Sequence, residues 1–176
     1  YLTVDKNNLE YFKNIEKNFI KIDKPLKIGI HLKTSSIIRD IPHETWNEIV
    51  RELLYFSNRI CLYFIGSEDD LGVMNKIVFP QSSVGRVMPF CSNTRGFKDS
   101  VAAISEMDCM LGGDSSGVHI AAAFKIPIVA MFGAFTPEVR VKYYENTFGL
   151  HAKIKCSPCF QHGSNPCDYS DFRGNS

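Results

Sequence analysis

The side chains best suited to chemistry lie in one short run, Asp114-Ser115-Ser116-Gly117-Val118-His119. The apolar stretch Cys109-Met110-Leu111 leads into it through Gly112-Gly113, and the small residues Ile120-Ala121-Ala122-Ala123 follow. The order reads as a strand, a turn, and a helix opened by Gly117, with an acid, two hydroxyls and an imidazole around the turn. The first N–H groups of a helix have no partner inside it, so such a terminus attracts a phosphate or a hydroxyl-rich ligand. Ser115 or Ser116 can also cap it. A second apolar run, Ile128 to Phe132, closes at Gly133. In open α/β sheets ligands bind at this carboxyl edge of the strands.

Three further segments carry reactive or charged groups. Lys33-Thr34-Ser35-Ser36-Ile37-Ile38-Arg39 holds hydroxyls and two cations, as a loop over a pyrophosphate would, and equally as a solvated loop would. Gly66-Ser67-Glu68-Asp69-Asp70 follows an apolar strand. An acid there can accept from ribose hydroxyls; the competing role is helix capping, with Ser67 as cap and the acids favoured by the helix dipole. Cys156, Cys159 and Cys167 form a Cys-x-x-Cys with a third thiol. That is a metal knuckle for a structural zinc or iron if a fourth ligand closes it, the candidates being His162, His151 or a further cysteine. The alternative is three free thiols.

The elements that would position these groups follow from periodicity. Leu9, Phe12, Ile15, Phe19 and Ile20 fall at helical spacing over 5–21, and their apolar stripe is read as core packing. Asp23-Lys24-Pro25 breaks the helix. Leu26 to Leu32 and Ile60 to Ile65 read as strands, the second apolar throughout as a central parallel strand requires. Between them Pro42 starts a helix whose buried stripe is Trp46, Ile49, Val50, Leu53 and Leu54. Val87 to Phe90 reads as a short edge strand, because Pro89 is poorly tolerated in a central one. Asp99 to Glu106 and Glu138 to Tyr144 read as short helices, and the segment from Thr147 as a cysteine-containing tail. Alternation of strands and helices predicts an α/β fold, a doubly wound parallel sheet of five or six strands in the Rossmann-like order 3-2-1-4-5.

At 176 residues the chain suits a single domain, with 1–25 as N-terminal helix and linker and 147–176 as tail. It is 44% hydrophobic with a net charge of +1, so nothing in its charge calls for nucleic acid as a partner. No apolar run approaches the length of a membrane span. Cys61, Cys91 and Cys109 lie in apolar surroundings and read as small buried hydrophobes. Tyr1 is not a natural start and Gly174-Asn175-Ser176 reads as a cut end, so the expectation is a fragment of a longer chain.

The run from Asp114 to Ala123, followed by Ile126-Pro127-Ile128-Val129-Ala130-Met131-Phe132-Gly133 and Thr136-Pro137, resembles the signature of glycosyltransferase family 9. This is the bacterial heptosyltransferase family of lipopolysaccharide assembly. The resemblance extends over roughly residues 26–167. It implies one half of a GT-B fold, the donor-binding domain, with the acceptor domain absent. By the same resemblance Asp114 falls where the family's acid meets the donor sugar. Ser115, Ser116 and Gly117 fall where N–H groups and a hydroxyl meet the diphosphate, and His119 keeps its spacing from the acid. Arg39 sits where the family has a phosphate-contacting lysine, and Glu68 matches an acid used toward the nucleoside. Lys33, Thr34 and Ser35 complete the implied donor site.

The implied function is sugar transfer from a nucleoside-diphosphate donor resembling ADP-heptose to a lipopolysaccharide, other glycan or lipid-linked acceptor. It needs no catalytic metal, and the catalytic base lies in the missing domain, so no residue of this chain is read as catalytic. The implied location is the cytoplasm, peripheral to the inner membrane. Cysteine clusters also occur in the family's C-terminal segments. Two other classes compete: a non-catalytic nucleotide- or sugar-binding module, and an interaction module built on the cysteine knuckle.

Overall fold

The computed structural model describes residues 2–161. Its centre is a sheet of six strands, β1 (Leu26–His31), β2 (Ile60–Phe64), β3 (Val87–Met88), β4 (Cys109–Gly112), β5 (Ile128–Phe132) and β6 (Thr147–His151), in the order β3-β2-β1-β4-β5-β6. Every pairing is parallel. The expected order therefore holds, and β3 is an edge strand as Pro89 requires.

β6 is the difference. The sequence reads as tail from Thr147, yet Thr147 to His151 pair in register with Ile128 to Phe132 of β5. Gly149 allows the fit: a Cβ there would stand 2.4 Å from the Pro137 side chain.

Among the described residues six α-helices flank the sheet: α1 (Lys6–Phe19), α2 (His43–Phe56), α3 (Glu68–Met74), α4 (Phe97–Ile104), α5 (Ser116–Ala123) and α6 (Pro137–Arg140). β2 is buried along its whole length and feeds both faces of the sheet. Ile60, Leu62 and Phe64 point to one core with Trp46, Val50 and Leu54 of α2. Cys61 and Tyr63 point to the other, with Phe12 of α1, Val101 and Ile104 of α4, and Val118 of α5.

α1 belongs to that second core. Asp5 caps it by accepting from the N–H of Asn7 at 2.8 Å. Asn8 donates to the buried Asp99 carboxylate at 2.6 Å, and Tyr63 donates to Glu16 at 2.6 Å. Cys61 and Cys91 are buried, as their apolar neighbours implied, and Cys109 is half-buried. Burial pushes the Cys61 thiol up to about 11 and the Cys91 thiol to about 12, which keeps both protonated and unreactive. Among the described residues no helix is long and apolar enough to cross a membrane.

The chain leaves β1 toward β2 on one side and returns to β4 on the other. The connections therefore diverge above β1 and β4, the place where doubly wound sheets bind ligands.

Candidate functional site

Above that divergence lies a cleft of about 710 Å³. Its floor is the carboxyl end of β1 at His31 and the turn after β4 at Asp114 and Ser115. The loop with Lys33, Thr34, Ser35 and Arg39 forms one wall, and α5 with Ser116, Gly117 and His119 another. Nine of the ten residues of the expected donor site thus line one cavity. The tenth, Glu68, is exposed on the first turn of α3, while its neighbours Ser67, Asp69 and Asp70 line the cleft.

Asp114 is 5% exposed, and its carboxylate is the hub of the site. Arg39 Nη1 donates to Oδ2 at 2.8 Å and to the Asp114 backbone carbonyl at 3.2 Å. Arg140 Nε lies 3.0 Å from the same Oδ2. His119 Nε2 lies 3.6 Å from Oδ1, and its Nδ1 is 2.8 Å from the Tyr144 hydroxyl. Burial by itself would raise the Asp114 pKa, but His119, Arg39 and Arg140 together hold it at about 2. The side chain is therefore an anion across the physiological range, already engaged by basic residues.

The loop after β1 is shaped by its own acid. Asp40 accepts from Lys33 Nζ at 2.6 Å, from the Thr34 N–H at 2.8 Å and from the Thr34 hydroxyl at 2.9 Å. Lys33 is thus committed to Asp40, whereas Arg39 reaches across to the β4 turn and also donates to Ser35 Oγ at 2.5 Å.

Asp70 clasps the neighbouring connection. Its Oδ1 accepts from the N–H groups of Leu32 at 3.1 Å and Lys33 at 2.9 Å. Its Oδ2 accepts from the Ser67 N–H at 2.9 Å, which with Ser67 makes the capping box of α3. The capping role weighed for this segment is real, and it falls to Ser67 and Asp70.

α5 starts at Ser116, one residue before the glycine expected to open it, with Ser115 as its N-cap residue. Among the described residues no side-chain cap bond forms, and the Ser115 hydroxyl is buried with no hydrogen-bond partner. A buried hydroxyl is seldom left so unless something else occupies its bonding capacity. Gly117 has a packing reason: a Cβ there would stand 2.8 Å from the His31 ring, so only glycine lets α5 meet the end of β1.

Arg140 and His31 escaped the sequence reading. The stretch after Pro137 scans as a continuous helix to Tyr144, but α6 ends at Arg140. Thr94, Phe97 and Ser100, which close the far wall, come from the stretch around β3 and α4, where periodicity is weakest. Cys156 and Cys159 are free thiols, and among the described residues no group of three or more His, Cys, Asp or Glu side chains is arranged to hold a metal. Cys167 and His162 lie outside the described residues, as does any ligand set that includes them.

The fold has close counterparts among solved structures. The E. coli ADP-heptose LPS heptosyltransferase II aligns with a TM-score of 0.70 at 19% identity, over 90% of this chain and 50% of that one. A glycosyl transferase family 9 protein of Veillonella parvula aligns with a TM-score of 0.71 at 16% identity, over 86% of this chain and 42% of that one. The E. coli heptosyltransferase WaaC, solved with ADP, aligns with a TM-score of 0.57 at 16% identity, over 80% of this chain and 42% of that one. The chain thus spans about half the length of these proteins or less. No curated protein sequence matches it. The family described as Glycosyltransferase family 9 (heptosyltransferase) matches residues 4–169, almost the whole chain, and with the parallel sheet and the cleft above β1 and β4 this establishes that the chain belongs to that family.

Proposed function

We propose that the cleft binds a nucleoside-diphosphate sugar, and that the chain is the donor-binding half of a GT-B glycosyltransferase. The observation that carries this reading is the polarity of the cleft. Arg39, Arg140 and the start of α5, whose Ser115 hydroxyl has no hydrogen-bond partner among the described residues, gather around the turn after β4, and the acids Asp69 and Asp70 line the cleft from the connection after β2. A diphosphate fits beside the turn, where cations and helix N–H groups stabilise a leaving group as its charge develops. Hydroxyls of a ribose fit beside the connection, with an acid of the first turn of α3, Glu68 or Asp69, accepting from them.

An ADP-heptose-like donor is the favoured ligand. In the solved relatives the WaaC protein is described with ADP and with ADP-2-deoxy-2-fluoro heptose. The acceptor would be a lipopolysaccharide or another glycan, reached through the half of the fold that this chain does not contain. That half would also supply the base that deprotonates the acceptor hydroxyl. Such chemistry belongs in the cytoplasm, at the inner face of the membrane where the lipid-linked acceptor is made.

The test is a thermal-shift and calorimetric screen of the chain against ADP, UDP, GDP and their sugar conjugates, including ADP-heptose. A ligand that binds only the native state raises the melting temperature by mass action. The expected result is stabilisation by ADP and ADP-heptose above the other bases. A chain unmoved by every nucleotide at millimolar concentration would refute the reading.

A further inference from the structure

We infer that α1 positions the far wall of the cleft: Tyr11, together with Asn8 acting through Asp99 and Arg95, holds the turn 93–96, against which the donor's base packs. The inference rests on the donor reading above and extends it to residues outside the cleft.

The order of the sheet sets the order along the cleft. α5 follows β4, the loop with Arg39 follows β1, and Asp69 and Asp70 follow β2. The turn with Thr94 and Gly96 follows β3, at the edge beyond β2. A nucleotide with its diphosphate at α5 and its ribose at the acids therefore brings its base to that turn. Thr94, Gly96 and Phe97 line the cleft there. The Phe97 ring is 63% exposed, a face open to stacking.

By itself this turn is poorly fixed. It joins a single 3-10 turn, Phe90–Ser92, to α4. Gly96 takes φ +144°, a conformation that glycine adopts freely and other residues rarely do. Glycine also gives up the most freedom on being ordered, so holding the turn takes contacts from outside it.

α1 supplies those contacts. It is anchored in the core by Phe12, which meets the Phe90 ring edge-on at 5.2 Å. The Tyr11 hydroxyl donates to the Asn93 carbonyl at 2.7 Å. The Arg95 guanidinium stacks over the Tyr11 ring, 3.6 Å from its centroid. Asp99, buried in the first turn of α4, accepts from the Arg95 N–H at 2.8 Å, from Nε at 2.9 Å and from Nη2 at 2.8 Å. Asn8 Nδ2 donates to the same carboxylate at 2.6 Å. The turn is thus caught between α1 and α4. Asn8, Tyr11 and Arg95 stand outside the cleft lining, so they act on a ligand through Thr94, Gly96 and Phe97.

Binding measurements on the whole chain, with ADP and inorganic pyrophosphate as probes, test this. Tyr11→Leu removes the hydroxyl and the ring. It is expected to weaken ADP about threefold to tenfold, the range for a lost hydrogen bond, and to leave pyrophosphate within about twofold. Tyr11→Phe keeps the ring under Arg95 and is expected to fall between parent and Tyr11→Leu. Asn8→Ala carries the same expectation as Tyr11→Leu should that variant fail to fold. Lys13→Ala removes a different link between α1 and the end of α4, the surface pair with Glu106 at 3.3 Å, and should leave both probes unchanged.

Amide hydrogen exchange at 93–97 reads the turn directly. It should quicken in Tyr11→Leu and not in Lys13→Ala. Circular dichroism confirms that each variant is folded at the assay temperature. Unchanged ADP affinity in folded Tyr11→Leu and Asn8→Ala, an equal loss for pyrophosphate, or unchanged exchange at 93–97 would overturn the inference. A parent that binds ADP no tighter than pyrophosphate would overturn it too, since the base end would then contribute nothing. If the parent binds neither probe, the donor reading falls and this inference with it.

Discussion

Asp70 is the residue whose replacement tests most directly how the site is held. It is 2% exposed and gathers three backbone N–H groups, two from Leu32 and Lys33 just after β1 and one from Ser67, the N-cap residue of α3. Asp70→Asn preserves the volume and one acceptor oxygen. That oxygen can still serve Leu32 and Lys33, but the amide NH₂ then faces the Ser67 N–H, two donors with no acceptor between them. An orphaned buried donor costs about 1–3 kcal/mol, and losing charge assistance at the remaining bonds adds about 1 kcal/mol. The expected destabilisation is therefore about 2–4 kcal/mol, which for a chain of this size lowers the melting temperature by roughly 5–15 °C. Urea unfolding at pH 7, with the parent and Asp69→Asn as references, measures it. Because Lys33 leads into the loop that carries Arg39, ADP affinity should also fall by about threefold to tenfold, the equivalent of roughly 1 kcal/mol of lost loop order. If Asp70→Asn is within about 0.5 kcal/mol of the parent, as surface substitutions commonly are, the clasp does not hold the connection and the reasoning fails.

Acid should weaken the fold through the same class of groups. Asp114 and Asp99 both have their pKa held near 2, below the ordinary carboxylate value of about 3.9. A depressed pKa contributes stability that is present above the unfolded value and lost as pH falls through the folded one. Unfolding free energy should thus drop between about pH 4 and pH 2, by about 2 kcal/mol from Asp114 alone. Urea titrations at pH 7, 4 and 2.5 measure the drop, and a flat profile below pH 4 would count against the ion-pair cluster. Gly117→Ala should cost about 1–3 kcal/mol, because its Cβ would stand 2.8 Å from the His31 ring, and differential scanning calorimetry reads this directly. Asp69→Ala should weaken ADP more than Glu68→Ala, since Asp69 lines the cleft; calorimetric titration giving the reverse order would make Glu68 the ribose acid.

What could be read from the sequence divides along a physical line. Elements whose buried stripe is periodic announce themselves: β2 is apolar throughout because both its faces are covered, and α2 shows its Trp46, Val50 and Leu54 stripe because one face is. The turn after β4 was equally plain, since glycines, an acid and hydroxyls at the end of an apolar run have few other uses. β6 was hidden because Thr147-Phe148-Gly149-Leu150-His151 is an edge strand with a glycine inside, and its order comes from pairing with β5 rather than from local propensity. Arg140 was hidden for a related reason. Nothing near it in sequence predicts that α6 ends there, or that Asp114 waits at 3.0 Å. Sequence proximity shows which side chains share a turn; it does not show which charges from distant turns will share a counter-ion. Asp114 illustrates both halves. Its place at the carboxyl edge of β4 follows from the strand before it and the helix after it. Its ion pairs depend on two arginines lying 75 residues upstream and 26 downstream (114 − 39 and 140 − 114), and only the folded sheet, by setting β1 beside β4 and β4 beside β5, brings the three together.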